Sequence, residues 1–220
     1  MIRQLGRALV CAFILSVSAN AAAPDANEEL VLALGKMDAA GVSAALDQGA
    51  DPNYLDPEIS TAPLVIALAG KQPAIAMLLL EKGADAKVEL AMNELRIPAL
   101  ILAVKCGDAA LVAKLMERGA DPAANDNYGN TALTQAAYQG SEAIIKVLLA
   151  KGVSPDQPDG QHRTALLWAI KTANVSLVKL LLQHGANPNL ADDGGLTPMK
   201  AARSRDDQEI IAVLRKAGAK

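Results

Sequence analysis

One interval recurs along this chain without variation. An apolar residue at Leu30, Leu64, Leu100, Leu133, Leu166 and Met199 is followed 19 residues later by a glycine, at Gly49, Gly83, Gly119, Gly152, Gly185 and Gly218. The step from each glycine to the next apolar residue is 15, 17, 14, 14 and 14 residues, so all variation in length falls in the connections. Connections tolerate insertions and packed elements do not. A unit of this size cannot bury its own apolar face, so the chain must stack copies of the unit against one another. Six copies between about residue 25 and residue 220 leave no room for a second domain.

The fourth copy shows the physics most plainly. Thr131 can cap a first helix whose inward side carries Leu133, Ala136 and Ala137. After a break at Gly140 and Ser141, a second amphipathic helix carries Ile144, Ile145, Val147, Leu148 and Leu149. Gly152 is expected to end it in the left-handed conformation that glycine adopts cheaply. An alanine stands three residues after the opening apolar residue in every copy (Ala33, Ala67, Ala103, Ala136, Ala169, Ala202), as a close contact between stacked layers requires. By the same rule Trp168, two residues past an opening Leu166, is expected in the core.

The stretch DNYGNTALTQAAYQGSEAIIKVLLAKGVSPDQPD, from Asp126 to Asp159, resembles an ankyrin repeat in the form D-x-x-G-x-T-x-L-x-x-A-A-x-x-G…LL-x-x-G. The resemblance covers nearly all of residues 24–220. It implies an all-α ankyrin-repeat solenoid of about six helix-turn-helix units with short hairpin loops, at about 25–53, 54–87, 88–123, 124–156, 157–189 and 190–220. Several copies depart from the pattern. The first lacks the D-x-x-G-x-T opening, and its helix is expected to begin after PDANEE as an N-terminal cap. The 84–99 connection has no hairpin signature, so an irregular finger is expected there. In the fifth copy His162 replaces the usual glycine, and a distorted turn is expected. The last copy carries RSRDDQE and Arg215 where others are apolar, as a terminal cap needs.

Residues 1–23 are a different kind of object. MIRQLGR supplies positive charge, ALVCAFILSV is a short apolar run, and Ala19-Asn20-Ala21 or Ala21-Ala22-Ala23 offers small residues at cleavage positions, which together read as a secretory signal peptide. Ten apolar residues are too few to span a bilayer, so no stable membrane span is expected after cleavage. Val10 before Cys11 argues against a lipoprotein. The expected location is therefore periplasmic or secreted.

Cleavage would move the net charge from -3 to about -5, which makes nucleic acid an improbable partner. It would also leave Cys106 as the single cysteine, without an internal disulfide. No metalloprotease, serine-hydrolase, phosphate-loop or Cys/His ligand motif is present. His162 and His184 fall at opposite ends of one helix pair, and His184 reads as a contact to a helix C-terminus. The resemblance accordingly implies a non-enzymatic, monomeric protein that needs no cofactor and binds another protein. An immunity-type inhibitor of a toxic effector is a narrower version of that role. A hydrolase with an unrecognised site is the alternative from another class.

In ankyrin units the binding positions are the hairpin tip and two places late in the first helix. Carried onto the fourth unit these are Asn127, Tyr128, Asn130, Tyr138 and Gln139, and the fifth adds Gln161 and Arg163. Exposed tyrosines make good interface anchors, although each could instead pack on the neighbouring repeat. Basic residues also recur late in the first helices, at Lys36, Lys105, Lys171 and Arg205, with Lys71 one residue beyond, while Asp126, Asp159, Asp192 and Asp193 gather acid at the hairpins. A basic row would attract an acidic partner surface, or would merely solvate the helix ends. Cys106 falls at the same late position, as a partly covered inert thiol or as a reactive one.

Overall fold

The computed structural model describes residues 24–220 apart from Asn93, so the export segment read at 1–23 lies outside it. Among the described residues twelve helices form six pairs. These are α1 (Ala26–Lys36) with α2 (Ala39–Asp47), α3 (Pro63–Ala69) with α4 (Pro73–Glu81), and α5 (Ala99–Cys106) with α6 (Ala109–Glu117). They continue with α7 (Ala132–Gln139) and α8 (Glu142–Ala150), α9 (Ala165–Lys171) and α10 (Val175–Gln183), and α11 (Pro198–Ser204) and α12 (Gln208–Lys216). No helix among the described residues is long and apolar enough to cross a membrane.

The pairs fall into two compact units, one up to Ala120 and one from Asp121 to Lys220. In the first, α1, α3 and α5 line up as one layer and α2, α4 and α6 as another. In the second, α9 lies between α7 and α11, and α10 packs on α12. Helices of 7–11 residues are too short to persist alone in water, so burial has to hold them. The opening residues supply it: Leu30, Leu133 and Leu166 are wholly buried, and Leu64, Leu100 and Met199 nearly so. Each is worth about 1.5–3 kcal/mol relative to exposure. The repeated alanines from Ala67 to Ala202 are also wholly buried.

Local chemistry sets where the helices start and stop. Thr131, Thr164 and Thr197, spaced 33 residues apart, accept the backbone N–H groups of Thr134, Leu167 and Lys200 and so cap α7, α9 and α11. The landmark glycines all have positive φ, between 84° and 100°, where a Cβ would be strained. Beyond them, side-chain amides and carboxylates tie consecutive loops together. Asn53 Oδ1 accepts the Asp85 N–H at 2.7 Å, Asp156 Oδ1 the Asn187 N–H at 2.8 Å, and Asn189 Oδ1 the Lys220 N–H at 2.9 Å.

Two expectations need correction. Helix α1 begins at Ala26, inside PDANEE, because Asp25 forms a capping box: its carboxylate accepts the Asn27 and Glu28 N–H groups at 2.9 Å, and Glu28 Oε2 accepts the Asp25 N–H at 3.1 Å. The 84–99 connection is also not irregular. It folds into an antiparallel hairpin of β1 (Glu89–Met92) and β2 (Leu95–Pro98), with Leu90 opposite Ile97 and Ala91 opposite Arg96. Leu90 and Ile97 are buried to within 2% on one face. On the strands' outer side Arg96 Nη1 meets Glu89 Oε1 at 2.7 Å.

Candidate functional site

The hairpins of the Asp121–Lys220 unit are one turn built three times. Asp126, Asp159 and Asp192 each donate a backbone N–H to the carbonyl four residues on, at 2.9–3.2 Å, and accept one from the residue three on, at 2.8–3.0 Å. Each carboxylate also accepts the N–H groups two and four residues ahead, at 2.9–3.0 Å. The fourth residue must take positive φ: Gly129 is at 75°, Gly195 at 72° and His162 at 56°. The expected distortion at His162 is therefore absent. The turn keeps its hydrogen bonds, with a non-glycine residue held in a left-handed conformation. The His162 ring lies 2.7 Å from Asp193 Oδ1, an ion pair when the ring is protonated.

Two consecutive tips touch through bare backbone. The Gly160 N–H donates to the Gly129 carbonyl at 2.8 Å, and a Cβ on Gly129 would come within 2.6 Å of Gly160 Cα. This close approach sets Tyr128 and Gln161 beside each other above a groove of about 610 Å³, lined also by Asn127, Asn130, Arg163 and Trp168.

Trp168 is the residue that sequence reasoning misplaced. It is only half-buried, and its Nε1–H donates to Asp159 Oδ2 at 3.1 Å. The Tyr138 ring meets it edge-on, with centroids 5.4 Å apart at 81°. The Arg163 guanidinium stands 4.5 Å from the indole centroid and Lys171 Nζ 5.1 Å. An indole N–H seeks a polar partner when covered, and the Asp159 carboxylate under the hairpin provides it. The polar Gln135 at the same place in the preceding repeat was the signal that this position is not core.

The other candidates divide clearly. Tyr128 is 69% exposed and Tyr138 58%, although the Tyr138 ring packs by one edge on Trp168 of the next repeat. Asn127, Gln139 and Gln161 are exposed. Asn130 and Arg163 line the groove, yet their inner ends serve the turns: Asn130 Nδ2 donates to Asp126 at 3.1 and 3.2 Å, and Arg163 Nε to Asp159 at 2.7 Å. Lys171 rests on the Trp168 ring but is not itself part of the groove lining. Arg205 is exposed at the end of α11, outside the groove lining, and Lys105 belongs to the other unit. Of the four hairpin acids, Asp193 is exposed and Asp192 half-buried, while the other two are covered. Asp126 and Asp159 are 5% and 4% exposed, turned inward to the donors of their own turns. Burial by itself would raise the Asp159 carboxyl. The N–H groups of Gln161 and Arg163 and the side chains of Arg163 and Trp168 outweigh it, and its pKa lies below the ordinary value.

His184 donates Nδ1–H to the Leu180 carbonyl at 2.9 Å, the helix-end contact expected of it. No group of three or more His, Cys, Asp or Glu among the described residues is placed to hold a metal ion. Cys106 is half-buried, and its thiol donates to the Leu68 carbonyl at 3.3 Å. Burial pushes the thiol pKa up, with Lys71 pulling partly back and Asp108 adding to the rise. Less thiolate means slower chemistry. Iodoacetamide at neutral pH should label the folded protein at least about tenfold more slowly than the urea-unfolded chain. Equal rates would mark a reactive thiol.

The repeat geometry finds its match among known proteins. A family model described as ankyrin repeats in three copies fits residues 64–159 and 151–220. The chain belongs to the ankyrin repeat family. A crystal structure of an ankyrin repeat domain from Acinetobacter baumannii AYE superposes with a TM-score of 0.76 at 32% identity, covering 86% of this chain and 97% of that one. Zygote-specific protein 3 of Chlamydomonas reinhardtii is 34% identical over 142 residues, 62% of this chain. The match takes in 37% of that relative's length. Ankyrin repeats are generally protein–protein interaction modules and typically non-enzymatic, with ligands met on surfaces that successive repeats build together.

Proposed function

We propose that this ankyrin repeat protein is a non-enzymatic binding module that acts in the periplasm or outside the cell and holds or regulates another protein through the surface around Trp168. The supporting observation is a concentration of rings. Of the five aromatic side chains in the whole sequence, Tyr128, Tyr138 and Trp168 share this surface, and two of them are more than half exposed. Rigid aromatic rings bury area at low entropic cost, which is why interfaces concentrate energy on them. The location rests on the export-signal pattern of residues 1–23.

One experiment addresses both parts. The full chain is expressed in a bacterial host, recovered from the periplasmic fraction, and used as bait for extracellular and periplasmic proteins, with captured proteins identified by mass spectrometry. The recovered protein should begin after Ala21 or Ala23. The Tyr128→Ala, Tyr138→Ala double variant should retain its helical signal and lose at least about 90% of the captured partner. Undiminished capture would place the interface elsewhere.

A further inference from the structure

We infer that the groove at the hairpin tips of the Asp121–Lys220 unit takes an Asp or Glu side chain of an extended partner segment, next to an apolar residue that lies against Tyr128. The inference rests on the protein-binding reading above and names the chemistry which that reading leaves open.

Charge decides the first half. The carboxylates nearest the groove, Asp126 and Asp159, are buried and filled by donors of their own turns. Asp193 is held by His162. The charged side chain in the groove lining is Arg163, and Lys171 stands against the same Trp168 ring just outside that lining. Arg163 commits Nε to Asp159, which leaves the outer edge of its guanidinium fork without a hydrogen-bond partner among the described residues. Among the described residues Lys171 meets no carboxylate, and it rests against the Trp168 ring. A guanidinium edge in the lining and an ammonium against the same indole form a place where a carboxylate gains charge-assisted hydrogen bonds. A cationic partner would meet like charge.

Shape decides the second half. A groove of about 610 Å³ holds a few side chains rather than a folded surface. Tyr128 lines it and is exposed, and Gln161 adds an amide at the tip, suited to the backbone of an extended segment. The overall charge of -3 disfavours a polyphosphate chain as the occupant.

The test uses the single tryptophan as its reporter. Four pools of synthetic decapeptides free of tryptophan are prepared, with Glu, Gln, Lys or phosphoserine fixed at the centre and the flanks randomised. Each pool is passed over the immobilised full-length protein, retained peptides are sequenced by mass spectrometry, and the selected sequences are titrated against Trp168 fluorescence. The Glu pool should be retained roughly tenfold better than the Gln pool, with an apolar residue enriched within two positions of the centre. Lys171→Gln should bring Glu down to the Gln level while Lys171→Arg preserves the preference, and Tyr128→Ala should erase the apolar enrichment. Equal retention of the pools, or preference for Lys or phosphoserine, would overturn the assignment. If the pools fail while the double tyrosine variant still abolishes capture, the acidic occupant falls and protein binding stands. If that variant leaves capture unchanged, the reading beneath it falls too.

Discussion

Replacing Gly129 with alanine is expected to destabilise the Asp121–Lys220 unit by about 2–5 kcal/mol, and Gly195 separates the two causes. Both glycines occupy the fourth position of the same turn, at φ 75° and 72°. Nothing lies within 4 Å of a Cβ built on Gly195, so Gly195→Ala meets only the left-handed backbone cost of about 1–2 kcal/mol. A Cβ on Gly129 lies 2.6 Å from Gly160 Cα and 2.7 Å from Gly160 N. These are backbone atoms that cannot swing aside, so overpacking adds about 1–3 kcal/mol. Urea unfolding followed by Trp168 fluorescence measures both. Equal losses at the two sites would mean that the tips part without cost.

Asp159→Ala should cost a comparable amount, about 2–4 kcal/mol, for a different reason. Its carboxylate receives the N–H groups of Gln161 and Arg163, the Arg163 Nε–H and the Trp168 Nε1–H. Alanine would orphan all four donors and leave Arg163 without its counter-charge. The pKa of Asp159 is depressed in the folded state. Its contribution is therefore complete above the unfolded carboxyl value of about 3.9 and is lost as pH falls through the lower folded value. The stability gap between wild type and Asp159→Ala should be flat from about pH 5 to 8 and narrow only below about pH 4. A gap that instead changed near neutrality would sink this account of Asp159.

The parts of this fold that were legible in the sequence are those under a strict spacing rule. The 19-residue step located every opening residue in the core and every landmark glycine at positive φ, because helix length and cap geometry leave little choice. The 84–99 hairpin was harder. ELAM and LRIP alternate in the strand period, with Leu90 and Ile97 on the inner face, but Glu, Leu, Ala and Met are helix formers, and only the pairing of two short segments made them strands. Tyr128 and Tyr138 were legible as exposed positions from the repeat register. Trp168 was not, because register says where a backbone position points and not what an indole N–H will bond to. The buried Asp126 and Asp159 were missed for a related reason: an acid at a hairpin reads as a surface charge until the turn's own donors are seen to converge on it.

The three-fold repetition of the hairpin turn separates the residues that hold the frame from those that display chemistry. The frame takes the first and fourth positions, an aspartate and a residue with positive φ. The third position, filled by Tyr128, Gln161 and Gly194, lends the turn only its backbone N–H. A ring, an amide and a bare hydrogen already stand there within one molecule. Heredity can therefore rewrite this position with little penalty in folding, so, on the proposed function, a change of partner need not disturb the fold. Loops vary where the elements they connect do not, and this turn narrows that freedom to a single place.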